Sequence, residues 1–71
     1  MSRIAKEHQQ RKNEILDTAQ RLFYSQGYEN TSVANVIDAI GIAKGTFYHY
    51  FKSKAELPGQ IVDRQARVTN T

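Results

Sequence analysis

Residues 31–57 read TSVANVIDAIGIAKGTFYHYFKSKAEL, and their spacing decides the fold. Val33, Val36, Ile37 and Ile40 fall at i, i+3, i+4 and i+7, with Asn35, Asp38 and Ala39 off the stripe. That is the apolar face of a short helix over about 33–40. Thr31 or Ser32 stands where an N-cap belongs, because a hydroxyl there can accept from a first-turn N–H. Gly41 stands where the helix must end. Only two or three residues then separate it from the next element, Lys44 to Tyr50. That stretch is short and rich in β-branched and aromatic residues, so a strand is a fair local alternative. Two spacings favour helix. With Ala43 as N-cap, Ile42 and Phe47 occupy the positions of a hydrophobic staple. Phe47 and Phe51 are one helical turn apart.

Working outward, Ser53-Lys54-Ala55-Glu56 has the form of a capping box, so a fourth helix is expected from there. Leu57 and Ile61 are its inward candidates, with Val62 a further one. Pro58-Gly59 conflicts with that reading, since Pro in a helix interior costs roughly 3 kcal/mol. A kink or a short first turn is expected, before a helix from about Gln60 to Val68. Upstream, Ile15, Leu16, Ala19, Leu22 and Phe23 recur at three- and four-residue steps, predicting a long helix from about Glu7 to Gln26. Ile4 and His8 continue the stripe weakly. Gly27 ends it, and Tyr28-Glu29-Asn30 connects it to the second helix.

Seventy-one residues make one small domain or a piece of a larger protein. Apolar residues are 39% of the chain, enough for a small core and too many for wholesale disorder. The absence of Cys excludes a disulfide framework and Cys-based zinc sites. Apolar runs of two or three residues span no membrane. The polar N-terminus lacks a signal-peptide core, so a cytoplasmic protein is expected. No nucleophile–base pair, paired carboxylates or phosphate-cradling Gly-rich loop is present, so no enzyme and no cofactor are expected. His8 reads as a solvated helix residue. It lies far from His49 in sequence, and neither has acidic partners suited to a metal site. The net charge of +3 is unevenly placed. Residues 1–12 carry Arg3, Lys6, Arg11 and Lys12 against Glu7. Residues 13–38 are acidic on balance, and 39–55 hold Lys44, Lys52 and Lys54 with no acid. Basic charge gathered on one element is the footprint expected for a polyanion.

Two short helices joined by a tight Gly-containing turn, the second basic, form a helix-turn-helix pattern. With Phe47 at the centre of the buried face, a 100° step puts Gly45 and His49 nearly opposite, with Thr46 and Tyr48 on the flanks. Tyr50 and Phe51 turn back toward the core. Lys44 sits in the first turn. This outward set suits a DNA groove. Thr46 can bond base edges or touch a thymine methyl, and Tyr48 and His49 can reach phosphate or a base. Gly45 lets the backbone approach closely. Lys44 and Lys54 can meet backbone oxygens. Ala43 offers no side-chain cap, leaving the first N–H groups of the third helix open to phosphate. The Thr31 and Ser32 hydroxyls are further donors. A second reading of another class is a helical protein-interaction module using Tyr24, Tyr28 and the aromatic surface. Salt separates the two, since apolar docking changes little with salt whereas phosphate binding falls steeply.

Across residues 11–57 the chain resembles the DNA-binding domain of the tetracycline-repressor (TetR) family of bacterial regulators. The resemblance is carried by residues 31–57 as quoted and by ILDTAQRLFYSQGYENTS at 15–32. Leu22-Phe23, Gly27-Tyr28, Gly41, Lys44-Gly45-Thr46, Tyr48, Phe51, Lys54 and Leu57 stand at consistent spacings. It implies an all-α fold: a three-helix helix-turn-helix (homeodomain-like) domain plus the start of a fourth helix, the third helix lying in the major groove. The division implied is a basic N-terminal arm at 1–10, the DNA-binding domain at 11–57, and at 58–71 the start of helix 4 or a connector to an effector and dimerisation domain. Positions matching family contacts are Thr31, Ser32 and Val33 at the start of helix 2, and Ala43, Lys44, Gly45, Thr46, Tyr48, His49 and Tyr50 on the recognition helix. Lys54 matches a lysine that meets phosphate. The implied partners are double-stranded operator DNA, a second copy through a C-terminal region, and a small-molecule effector, in a repressor that works at the bacterial nucleoid. Two residue departures stand out. Ile37 replaces the usual Ala where the two motif helices cross, and Pro58-Gly59 replaces a helical apolar stretch.

Overall fold

The apolar stripe of residues 15–23 cannot face water on its own, and the three shorter helices that follow close over it. The structure, a computed structural model, describes the backbone of residues 3–69 and the side chains of residues 7–65. In chain order it holds α1 (Arg3–Gln26), α2 (Val33–Ile40), α3 (Lys44–Tyr50) and α4 (Glu56–Thr69). No strand occurs among the described residues. The core takes Ile15, Leu16 and Ala19 from α1, and Val36 from α2. It takes Phe47 from α3, Phe51 from the α3 cap, and Leu57 and Ile61 from α4. Each large apolar side chain buried in this way stabilises by about 1.5–3 kcal/mol. Val62 lies outside the core at 64% exposed, one step round the helix from Ile61.

Helix α1 starts four residues earlier than its apolar stripe predicts. From Arg3 onward, the segment expected as a basic arm is the opening of this helix; residues 1 and 2 lie outside the described residues. Arg11 and Glu14 bridge on its surface at 2.6 Å. Gly27 then turns the chain at φ 91°, its N–H donating to the Phe23 carbonyl.

Ser32 is the N-cap of α2, and the capping box forms here. Its hydroxyl accepts from the Asn35 N–H at 3.0 Å, and the Asn35 side-chain oxygen accepts from the Ser32 N–H at 3.0 Å. The box expected at Ser53 is not made: the Glu56 N–H donates to the Ser53 backbone carbonyl instead, at 3.2 Å. Asn does at 35 what Glu or Gln more often does, because its shorter carboxamide still reaches one turn back. At the far end of α2, Gly41 sits in the left-handed region at φ 87°. Its N–H and that of Ile42 converge on the Ile37 carbonyl at 2.8 and 3.2 Å. The turn of residues 41–43 then delivers α3 with Ala43 as an uncapped N-cap.

Pro58 does not delay α4. The helix begins at Glu56, so Pro58 is its third residue. The first N–H groups of a helix have no partner within it, so a missing one costs nothing. The carbonyl that the ring would crowd belongs to Lys54, outside the helix. Arg64 secures α4 to α1, with contacts of 2.8 Å to the Asp17 carboxylate and 3.2 Å to the Gln20 side-chain oxygen.

Candidate nucleic-acid interface

Phe47, fully buried, fixes the rotation of α3. The residues opposite it are therefore held outward. Lys44, Gly45, Tyr48 and His49 are exposed, with Tyr48 at 44%, and Thr46 is half-buried on the flank. Ala43, before the first turn, is exposed and makes no side-chain cap. The Tyr48 ring stands edge-on to Phe47 at 5.2 Å between centroids, so its base is braced by the core while the rest faces out. Along this face an ammonium, a backbone free of side chain, a phenol and an imidazole follow one another. All are hydrogen-bonding or close-approach groups suited to a polar, anionic surface.

Other expected site residues behave differently. Tyr50 is half-buried and turns toward α1, where its ring lies 4.6 Å from that of His8. Val33 is half-buried and packs on the core from the first turn of α2. Ser32 is exposed, with its oxygen and amide engaged in the capping box. Thr31 corrects the expectation of an outward hydroxyl. It is 1% exposed, and its hydroxyl donates inward to the Gly27 carbonyl at 2.8 Å, with the Leu22 carbonyl at 3.4 Å. The reason is the Gly27 turn, whose carbonyls point inward at the end of α1 and need a donor. Thr31→Val keeps the shape and removes the donor. It is expected to lower stability by about 1–2 kcal/mol, read as a fall in the midpoint of thermal unfolding.

Lys54 also makes contacts within the chain. Its ammonium donates to the carbonyls of Tyr28 and Thr31, both at 2.9 Å, and lies 4.1 Å from the centre of the Tyr28 ring. This half-buried group reaches the corner between α1 and α2. Nothing in the local sequence announces the contact, because its partners are 23 and 26 residues away and two of them are backbone atoms.

His8 is exposed on α1, as expected of a solvated helix residue, and it has a neighbour that its place in the sequence does not show. The fold brings its ring within 5.8 Å of His49, edge-on, at the end of α3. The signal was present: His8 precedes Ile15 by seven residues and so continues the stripe of α1. The pair braces the outer end of α3, and no group of three or more metal-binding side chains occurs among the described residues.

A buried aromatic that orients a short helix, a three-residue turn and a capped partner helix together define a helix-turn-helix domain. The profile of the family described as "Bacterial regulatory proteins, tetR family" matches residues 15–61, and the chain belongs to that family. Among similar proteins are the HTH-type transcriptional regulator AcrR of Shigella flexneri, 40% identical over 55 residues, and the HTH-type transcriptional repressor KstR2 of Mycobacterium tuberculosis, 34% over 62. The HTH-type transcriptional regulator TtgR of Pseudomonas putida is 33% identical over 61 residues. These alignments cover 78%, 87% and 86% of this chain, but 26%, 31% and 29% of the respective relatives. The chain thus matches less than a third of the length of each.

Proposed function

We propose that this chain binds double-stranded DNA sequence-specifically, with α3 in the major groove. It would serve as the reading head of a ligand-responsive transcriptional regulator, most simply a repressor. The observation that carries the reading is the outward set Lys44, Gly45, Tyr48 and His49, held opposite the buried Phe47. Lys44 supplies charge for phosphate, and Tyr48, His49 and the flanking Thr46 read base edges. The names of the relatives support the regulatory role, and one of the three is called a repressor. The remainder of such a protein would hold the effector site and the contact between two copies, with α4 leading into it. Pairing matters because two half-sites bound together multiply the weak affinity of each. Such a regulator works at the nucleoid, in the bacterial cytoplasm.

The test is the affinity for a duplex selected by the protein from a random pool, measured by fluorescence anisotropy between 50 and 200 mM salt. Affinity is expected to fall steeply with salt, by about 0.9 in logarithmic slope per phosphate neutralised. Affinity indifferent to salt would refute the reading and favour apolar protein docking. That alternative has lost ground in the structure. Tyr24 is 94% exposed, but Tyr28 is half-buried, with its ring 5.0 Å from Phe23 and its face under Lys54.

Two glycines give a paired control. Gly45 and Gly59 are both helical, and a methyl added at either meets no neighbour within 4 Å. Alanine at each is expected to stabilise the fold by about 0.5–1 kcal/mol, by relieving the flexibility of the unfolded chain. Gly59→Ala should leave DNA affinity unchanged. Gly45→Ala should weaken it, because the methyl stands where the backbone must approach the duplex. Melting curves and binding isotherms on the two variants check both halves.

A further inference from the structure

The chain has two histidines, and the fold sets both rings at the outer end of α3. His8 comes from α1 and His49 from the last turn of α3. Their rings meet edge-on at 5.8 Å, and Tyr50 touches both, at 4.6 Å from His8 and 5.3 Å from His49. Both imidazoles are exposed, whereas Tyr50 beside them is half-buried. No hydrogen bond to either imidazole occurs among the described residues, so their ring nitrogens are open to a ligand. His49 belongs to the face that holds Lys44, Gly45 and Tyr48 outward, opposite the buried Phe47. His8 therefore stands against that face from a different helix. The charged groups around the pair are few. On α1 they are Glu7, which lines the open hollow beside His8, and Arg11 and Glu14, which bridge each other at 2.6 Å. On α3 and its exit they are Lys44 and Lys52, one at each end. No residue of α2 or α4 lines that hollow among the described residues.

Resting on the DNA-binding reading above, we infer that His8 and His49 together form one contact with a backbone phosphate of the duplex, and that protonation switches this contact on. An imidazole is the side chain whose charge changes between about pH 5 and 8, a range in which carboxylates, ammonium and guanidinium groups ordinarily keep theirs. A neutral ring has one donor and a charged ring has two. Two charged rings 5.8 Å apart repel each other. A phosphate set between them offsets that repulsion and accepts a charge-assisted bond from each. Binding therefore draws protons from solvent onto the pair. The sign follows from the phosphate, which favours the charged ring, so each proton is held more tightly in the complex than in the free chain. The contribution to affinity is complete at low pH, and it is lost as pH rises through the titration of the complex. The junction of α1 and α3 thereby joins the interface, and the affinity of the reading head responds to acidity.

The experiment measures affinity for the duplex selected above at constant salt across this pH range, well below the melting midpoint at each pH. Calorimetry in two buffers of different ionisation enthalpy counts the protons taken up. The wild-type chain is expected to lose about tenfold in affinity from about pH 6 to 8, the scale of one charge-assisted contact, and to take up protons on binding. Its salt slope should be steeper at the lower pH by about 0.9, the value of one phosphate. His8→Gln and His49→Gln should each flatten the pH profile and reduce the proton uptake. A merely structural brace at His8 would give a different result, an affinity lowered equally at both ends of the range with the profile kept. A flat wild-type profile would overturn the inference. A full profile surviving in either variant would overturn it as well, since the proton would then belong to one ring alone or to neither. Should His8→Gln lower the melting midpoint, His8→Phe keeps a ring against Tyr50 and removes the titration. The same flattened profile is then expected, and a full one would count against the pair. Failure of the wild-type chain to bind with a steep salt slope at any pH would strike the DNA reading itself, a result distinguishable from any of these.

Discussion

Phe47→Ala is expected to remove about half of the stability of the fold. Phe47 is fully buried among Val36, Phe51, Leu57 and the α1 residues Ile15, Leu16 and Ala19. Removing a buried Phe ring costs about 3–5 kcal/mol, the sum of lost transfer energy and the cavity left behind. A chain of this length has about 4–10 kcal/mol in all. The same substitution also removes what orients α3, so any molecules that remain folded should lose DNA affinity too. Thermal unfolding followed by circular dichroism is the measurement, with a midpoint lowered by roughly 15–30 °C. Tyr24→Ala is the contrasting control. It is 94% exposed and should shift stability by no more than about 0.5 kcal/mol. Comparable losses from the two would mean that the core is misassigned.

Replacing Lys44 and Tyr48 together by Ala is expected to abolish specific binding while leaving the fold intact. Both side chains are exposed, and neither belongs to the core. Lys44 is charged and sits in the first turn of α3, with no hydrogen bond or ion pair within the chain among the described contacts. Its loss should make the salt slope shallower by about 0.9 if it neutralises one phosphate. Tyr48 is braced against Phe47 and offers a hydroxyl at a fixed height. A good base contact is worth about 1–3 kcal/mol of discrimination, so its loss should also blur the preference between sites. Together they predict a fall of about a hundredfold on the selected duplex and a much smaller one on random DNA. Equal losses on both would assign the pair to phosphate alone. No loss on either would place the binding face elsewhere.

Most of the fold was legible because its signals are local. The period of Val33, Val36, Ile37 and Ile40, the stop at Gly41 and the Phe47–Phe51 spacing each concern residues within one or two turns, and α2 and α3 lie where those spacings put them. Pro58 misled for a definite reason. A proline's cost depends on whether its N–H would have had a partner, and that depends on where the helix begins, which the sequence leaves open within a turn. The capping box was mislocated for a related reason. Ser53 and Glu56 have the favoured residue types, yet Ser32 and Asn35 have the geometry. In the candidate site, the outward face of α3 followed from rotation about Phe47. The roles of Thr31, Lys54 and His8 did not, because they depend on contacts across the fold: Thr31 with the end of α1, Lys54 with carbonyls that any residue type could present, and His8 with a ring 41 residues away in the chain. Backbone acceptors leave no trace in side-chain chemistry, and this is the general limit on reading such a contact from sequence.

The central claim is that one face of α3 meets the duplex. Amide chemical-shift mapping of the isotope-labelled chain, titrated with the selected duplex, tests it most directly. The account predicts the largest shifts at Lys44, Gly45, Thr46, Tyr48 and His49, with smaller ones at the start of α2 and none at Tyr24 or Val62. Shifts centred on Tyr24 and the outer face of α4, with α3 silent, would contradict it.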